Sequence, residues 1–209
     1  MNAENVSGLI LAGGLSRRLG GGDKALMELA GRPLLTHAID RAIPQVDQLV
    51  INANGDVARF DAFNLPVVED VIDGYAGPLA GVLTGLEWMS EHHPHCQWLA
   101  TFATDAPFFP TDLVEKLLCQ IRSNNADMAC AISNGRTHPV FALWPVALKN
   151  ELRQAMMDEA MRKVDRWTAR YKIEHVKFDD DKNGVDPFFN INVPENFTEA
   201  EILLKEDVN

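Results

Sequence analysis

Residues 6–24 read Val6-Ser7-Gly8-Leu9-Ile10-Leu11-Ala12-Gly13-Gly14-Leu15-Ser16-Arg17-Arg18-Leu19-Gly20-Gly21-Gly22-Asp23-Lys24, a short apolar run that passes into a loop dense in glycine and positive charge. The run Val6–Leu11 has the length and composition of a buried strand, and Ala12-Gly13-Gly14 is its exit turn. Gly13 and Gly14 let backbone N–H groups approach an anion with no Cβ in the way, while Arg17, Arg18 and Lys24 add charge-assisted bonds. The spacing is not that of the Walker loop, which needs Gly-Lys-Ser/Thr, nor of the GxGxxG dinucleotide turn. A plain glycine-rich surface loop is the competing reading. Strand, glycines and cations in that order favour a phosphate site.

Downstream, Pro33 opens a helix with Leu34, Leu35, Ala38, Ile39, Ala42 and Ile43 on one face, proline standing at its favoured first-turn position. Further short strands are expected at Gln48–Asn52, Pro66–Glu69, Trp98–Ala103, Met128–Ile132, Val140–Leu143, Glu174–Phe178 and Phe189–Val193. Helices are expected at Pro78–Glu91, Pro110–Arg122, Val146–Met157 and Pro194–Lys205. This alternation predicts an α/β protein: right-handed crossovers, a mostly parallel Rossmann-like sheet and helices on both faces, hence three layers. Ligands of such sheets bind at the carboxyl ends of the strands.

The 209 residues, 46% hydrophobic and 23% charged, suit one soluble domain with a single substantial core. No internal repeat or linker-like change of composition divides them. No apolar run reaches the roughly 18 residues of a membrane span, and the first residues are polar, so a cytoplasmic protein is expected. The three cysteines Cys96, Cys119 and Cys130 form no CxxC pair and read as reduced thiols. A formal charge of −11 argues against a nucleic-acid surface, which needs clustered Lys and Arg. An anionic ligand must therefore meet a local basic site, and residues 11–24 supply one.

That loop resembles the LAGGxSxRMGxxK signature of nucleotidyltransferases, and it is similar in particular to the molybdenum cofactor guanylyltransferases. Leu19 replaces the usual methionine, and Gly20-Gly21-Gly22-Asp23-Lys24 matches the GGxDK form of that branch. Met27-Glu28-Leu29-Ala30-Gly31-Arg32-Pro33-Leu34-Leu35-Thr36-His37 matches its ELxGRPLxxH segment, and the likeness runs on to the last helix. The resemblance implies the fold of the nucleotide-diphospho-sugar transferases, with a nucleotide-binding part at about 1–105 and an acceptor part at about 106–209. It implies GMP transfer from GTP to the phosphate of the molybdopterin cofactor, with Mg²⁺ and release of pyrophosphate. Partners would be the cofactor-synthesis proteins and the molybdoenzymes that receive the product.

The same resemblance assigns residues. Lys24, Arg18 and Asp105 are the catalytic set, and Leu11, Ala12, Gly13, Gly14 and Lys24 wrap the NTP phosphates. Asn52 and Asp70, each closing an apolar strand, hold the guanine nucleotide; from the residues alone, turn caps would serve as well. Gly77-Pro78-Leu79-Ala80-Gly81 is similar to the GPLAG segment, which puts Gly77 and Gly81 at the nucleotide. Asp105, in Thr104-Asp105-Ala106-Pro107 after an apolar strand, is the metal candidate, since Mg²⁺ takes one or two carboxylates plus phosphate oxygens and water. Thr104 stands where the family's CDxPF motif has cysteine, and a magnesium site has no use for a soft sulfur ligand. Asn190 and Asn192 match the NxN segment and, read as two amides on one face of a strand, bind metal or acceptor. Val193 replaces the family's threonine N-cap before Pro194. His138 and the basic pair Arg162-Lys163 are acceptor-side candidates; a solvated basic pair is the plainer alternative.

Two further patterns carry less. Asp179, Asp181 and Asn183 before Gly184 imitate half of a calcium loop, but the twelfth position is Asn190, so a solvated acidic turn between two strands is expected. His92, His93, His95 and Cys96 fit no zinc spacing. The rival functions are a CTP-dependent cytidylyltransferase of the same cofactor, with LAAG in place of Leu11-Ala12-Gly13-Gly14, a sugar-1-phosphate nucleotidyltransferase, and a non-catalytic nucleotide-binding regulator.

Overall fold

The structure is a computed structural model and describes residues 5–13, 23–74, 77–181 and 184–206. Its frame begins with β1 (Val6–Leu11), followed by a two-stranded ribbon of β2 (Glu28–Leu29) and β3 (Arg32–Pro33), then α1 (Leu34–Ala42). Next come β4 (Leu49–Asn52), β5 (Val67–Val68), α2 (Pro78–His92), β6 (Trp98–Ala103) and α3 (Leu113–Asn124). The second half adds β7 (Met128–Ser133), β8 (Arg136–Pro145), α4 (Lys149–Asp158), α5 (Val164–Thr168), β9 (Ile173–Lys177) and α6 (Pro194–Glu206).

The main sheet has seven strands in the order β5-β4-β1-β6-β8-β7-β9. All neighbours are parallel except β8, which runs antiparallel to both β6 and β7. The period-two alternation of the strands sorts the core into two layers. Val6 and Ile10 of β1, with Ala100 and Phe102 of β6, face α1 and α3; Leu9 and Leu99 face α2, α4 and α5. Both faces are thus covered, which is why β1 reads as a nearly continuous apolar run. Each fully buried Leu, Ile or Phe in these layers contributes about 1.5–3 kcal/mol.

The expected strands form at the expected places with one exception. Residues 189–193 are irregular, because Phe189 and Ile191 pack with Leu29, Leu34 and Ala200 in a small satellite core instead of joining the sheet. A single backbone bond, from Ile191 N–H to the Asp105 carbonyl at 2.7 Å, ties this segment to the end of β6. The acidic turn after β9 is closed by Asp181 N–H to Val185 O at 3.0 Å and Gly184 N–H to Asp181 O at 2.9 Å, and among the described residues no second strand follows it. β8 is longer than its apolar stretch Val140–Leu143 implies, since β7 and β8 are a tight hairpin with a register shift at Cys130/Ala131. The short helix α5 and the 3-10 segment Val57–Phe63 have no counterpart in the sequence reading. Among the described residues no helix is long and apolar enough to cross a membrane.

Candidate active site

The parallel strands bring Leu11, Asn52, Val68 and Ala103 to one edge of the sheet, and the nucleotide candidates among the described residues lie at or near that edge. Ala12 N–H donates to Asn52 O at 2.9 Å and Ala53 N–H to Val68 O at 3.0 Å, extending the pairing past the strands. Ala12 is buried and Gly13 exposed, with open space where a Cβ would stand. Gly14 and Arg18 lie outside the described residues.

Lys24 opens a one-turn 3-10 helix, Lys24–Leu26, capped by Asp23, whose carboxylate accepts the Ala25 N–H at 3.0 Å. The Lys24 Nζ donates to Asp105 Oδ2 at 3.0 Å and to Asn192 Oδ1 at 2.7 Å. Three segments far apart in sequence therefore converge on one ammonium, with the Lys24 side chain only 15% exposed and that of Asp105 31%. Such an ammonium is placed to neutralise an anion entering the edge of the sheet. Asp105 and Asn192 present oxygen atoms, the donors a hard divalent cation prefers, so the residues fit the metal dependence of nucleotidyltransferases. Asn196 Oδ1 reaches back to the N–H groups of Asn192 and Val193, at 3.0 and 3.2 Å. It supplies at the start of α6 the N3 half of a capping box, the half that does not need a side-chain acceptor at Val193.

On the other side of β1, Asp70 is gripped by two amides. Asn52 Nδ2 donates to its Oδ1 at 2.9 Å and Asn54 Nδ2 to its Oδ2 at 2.8 Å, while Asn54 Oδ1 accepts the Asp70 N–H at 2.8 Å. Asn54 escaped the sequence reading although it repeats the Asn52 side of the chain two residues on, the one signal that pointed to it. Gly81 of α2 packs so closely that a Cβ would stand 2.3 Å from Asn52 Oδ1 and 2.5 Å from Leu11 Cδ2. Gly77, at the N-cap of α2, has φ 77° and ψ −171°, a conformation open in practice only to glycine. A cavity of about 260 Å³ lies here, lined by Asn54, Glu69, Asp70, Ile72, Asp73 and Gly74.

The acceptor-side candidates are dispersed. His138 is buried in the core, its ring stacked on Phe188 at 4.5 Å between centroids and its Nε2 2.7 Å from Ser133 Oγ. Ser133 Oγ in turn donates to Asp186 Oδ1 at 2.8 Å. His138 thus braces the segment leading to Asn190 and Asn192 instead of opening onto the site. Burial pushes its pKa below the ordinary 6.5, against the pull of Asp186. Asn190 is half-buried, its Nδ2 donating to Phe188 O at 3.1 Å. Arg162 donates to the carbonyls of Met156 and Met161 at 2.9 and 2.7 Å, closing the end of α4. Together with Lys163, Arg166 and Arg170 it lines a cavity of about 350 Å³. A Cβ on Gly77 would lie 3.7 Å from the Arg162 carbonyl oxygen, so this basic cavity adjoins the start of α2.

Comparison with known proteins gives the family. The family model described as the MobA-like NTP transferase domain matches residues 8–175. A molybdenum cofactor guanylyltransferase of Rhodopseudomonas palustris is 51% identical over 199 residues, covering 95% of this chain and 94% of its own. Another, from a Bradyrhizobium species, is 52% identical over 198 residues, covering 95% and 92%. In fold, the chain is similar to the crystal structure of molybdopterin-guanine dinucleotide biosynthesis protein A from Archaeoglobus fulgidus, with a TM-score of 0.76, 22% identity and coverage of 96% and 99%. The chain is a nucleotidyltransferase and belongs to the MobA-like NTP transferase family, in its branch of molybdenum cofactor guanylyltransferases.

Proposed function

We propose that this enzyme transfers GMP from GTP to the terminal phosphate of the molybdopterin cofactor, forming the guanine dinucleotide and releasing pyrophosphate, in the cytoplasm. The observation that carries the proposal is the meeting of Lys24, Asp105 and Asn192 at the edge of the sheet, beside the Asp70 amide cluster. The acceptor phosphate attacks the α-phosphorus as the bond to the β-phosphate breaks, and pyrophosphate leaves with the electron pair. A phosphate monoester dianion is already a nucleophile near pH 7, so no protein nucleophile or acid-base pair is required, and the chain's task is positioning and charge neutralisation.

In this reading Leu11, Ala12, Gly13 and Gly14 cradle the phosphates, and Lys24 and Arg18 neutralise charge there. Asp105 holds Mg²⁺, which when bound supplies Lewis-acid stabilisation of the phosphate oxygens. Asn52, Asp70, Gly77 and Gly81 hold the nucleoside. The preference for guanine is supported by the carboxylate of Asp70, an acceptor-only group suited to guanine's N1–H and N2–H₂ donor edge. The acceptor lies toward residues 106–209, where Asn190, Asn192 and the basic cavity at Arg162 are the groups suited to an anionic ligand. His138 acts there through its support of the 186–192 segment. The product passes to molybdoenzymes by transient contacts.

The test is pyrophosphate release from GTP, CTP, ATP and UTP with Mg²⁺ and purified molybdopterin cofactor, for the wild type and Asp105→Ala. Cofactor-dependent release with GTP alone, lost in the variant, is the expected result. Release with CTP would move the enzyme to cytidylyl transfer, and no release with any of the four NTPs would leave a regulator or another acceptor as the better reading.

A further inference from the structure

Arg59 spans the gap between the two parts of the nucleotide site. It stands in the 3-10 segment Val57–Phe63, its guanidinium 4.4 Å from the centroid of the fully buried Phe60 ring. Its Nε donates to Asp23 Oδ2 at 2.7 Å, one Nη to the Asn54 carbonyl at 2.9 Å, and the other to the Asp56 carbonyl. Asp23 uses its second oxygen to cap Ala25, in the turn that begins at Lys24. Asn54 uses its side chain to clasp Asp70 in both directions. A continuous chain of hydrogen bonds therefore runs from the residue before Lys24, through one guanidinium, to the carboxylate beyond β5.

We propose that Arg59 is a positioning residue for Lys24: it holds the lysine-bearing end of the phosphate loop at a fixed offset from the base-binding cluster at Asp70, an inference that rests on the nucleotidyltransferase reading of that site. The segment has supports of its own besides the guanidinium. Phe60 anchors it in the core, and Asp56 caps it by accepting the Ala58 N–H at 3.1 Å. Of the guanidinium's directed bonds one returns to the Asp56 carbonyl at the segment's own N-cap and two go outward, to Asp23 and Asn54, and only a planar fork makes both outward bonds at once; a lysine offers a point charge. Fixing this offset matters because displacing a charge-stabilising group by about 1 Å costs on the order of a hundredfold in rate.

The experiment uses Arg59→Met, Arg59→Lys and Asp23→Asn in the full-length protein, with two readouts. In the first, kcat and KM for GTP are measured with Mg²⁺ and molybdopterin cofactor. Arg59→Met is expected to lower kcat about tenfold to a hundredfold with KM changed less than about threefold. Arg59→Lys recovers only part of the loss, and Arg59→Met combined with Asp23→Asn is no worse than the more damaging single change, because both cut one link. In the second, amide hydrogen exchange is followed without nucleotide: the Ala25–Met27 amides should exchange roughly tenfold faster in Arg59→Met while those of β7 keep wild-type rates. Wild-type kcat in Arg59→Met, or unchanged exchange at Ala25–Met27, would overturn the inference. A wild type inactive with GTP would count against the functional reading, and the exchange readout would still decide whether Arg59 fixes the Lys24 turn.

Discussion

The Lys24 ammonium and the Asp105 carboxylate lie 3.0 Å apart although 81 residues separate them in the chain. Without nucleotide, each neutralises the other; in the proposed reaction an arriving triphosphate and cation exchange these partners for stronger ones. Both side chains keep some exposure, at 15% and 31%, so the pair itself is worth no more than about 1 kcal/mol to the fold. Lys24→Ala and Asp105→Asn should therefore each lower kcat/KM for GTP by about 100- to 1000-fold with the melting temperature nearly unchanged. Lys24→Ala should also bind Mn²⁺ more tightly in the absence of nucleotide, since the competing ammonium is gone. Calorimetric titration checks this, and weaker metal binding in Lys24→Ala would show that the lysine supports the cation site instead of competing for it.

Two glycines of α2 separate binding from packing. A methyl at Gly81 would meet Asn52 Oδ1 at 2.3 Å and Leu11 Cδ2 at 2.5 Å, at the mouth of the proposed nucleotide site. One at Gly85 would meet only leucine termini, Leu9 Cδ2 at 2.8 Å and Leu99 Cδ2 at 2.9 Å. Both substitutions to alanine should destabilise by about 1–3 kcal/mol through overpacking. Gly81→Ala alone should raise the GTP KM, by about tenfold, as it pushes the Asn52 amide off Asp70. The pair is compared by urea unfolding and steady-state kinetics, and equal KM values would detach Gly81 from the site.

Much of this arrangement was legible in the sequence because apolar strands ending in a polar residue announce where a parallel sheet puts its ligand. Asn52, Asp70 and Asp105 each follow such a strand, and each stands at the same edge. What was not legible depends on long-range packing. Residues 189–193 have strand-like composition, yet Ile191 finds its apolar partners on α6 and the β2–β3 ribbon, so the segment crosses the end of β6 instead of pairing in the sheet. His138 reads as an acceptor-side candidate because His138-Pro139-Val140 resembles a family segment, and that likeness gives no hint of burial; the fold shows Phe188 and Ser133 packed against it. Arg59 gave no signal at all, since nothing in a seven-residue 3-10 segment tells which cation reaches across to Asp23.

His138 should make stability depend on pH. The hydroxyl proton of Ser133 goes to Asp186, so the neutral imidazole donates through Nε2, and a second proton would charge a buried ring. Burial lowers its pKa from 6.5 in the folded protein. As pH falls through that value the unfolded chain takes up a proton that the native chain refuses. The contribution is therefore complete above about pH 6.5 and is lost as pH falls toward the native pKa. Urea midpoints should drop between pH 7.5 and 5.5, and His138→Gln, less stable at pH 7.5, should show a smaller drop. Equal slopes for the two proteins would sink the assignment.

Trp144 and Trp167 pack against each other with ring centroids 6.0 Å apart, both 1% exposed, but their indole N–H groups differ. Trp144 Nε1 donates to the buried Thr101 hydroxyl at 2.9 Å, whereas Trp167 Nε1 is buried without a partner among the described residues. Replacing either by phenylalanine removes a similar apolar volume and leaves a similar cavity. Trp144→Phe also breaks a hydrogen bond and takes the donor from Thr101, while Trp167→Phe relieves an unmet donor. The first should cost more than the second by about 1–2 kcal/mol in urea unfolding. Because neither ring touches Lys24, Asp70 or Asp105, kcat should be unchanged in both. A Trp167→Phe protein that is the less stable of the two would mean that its indole N–H has a partner in solution, a buried water being the first to look for.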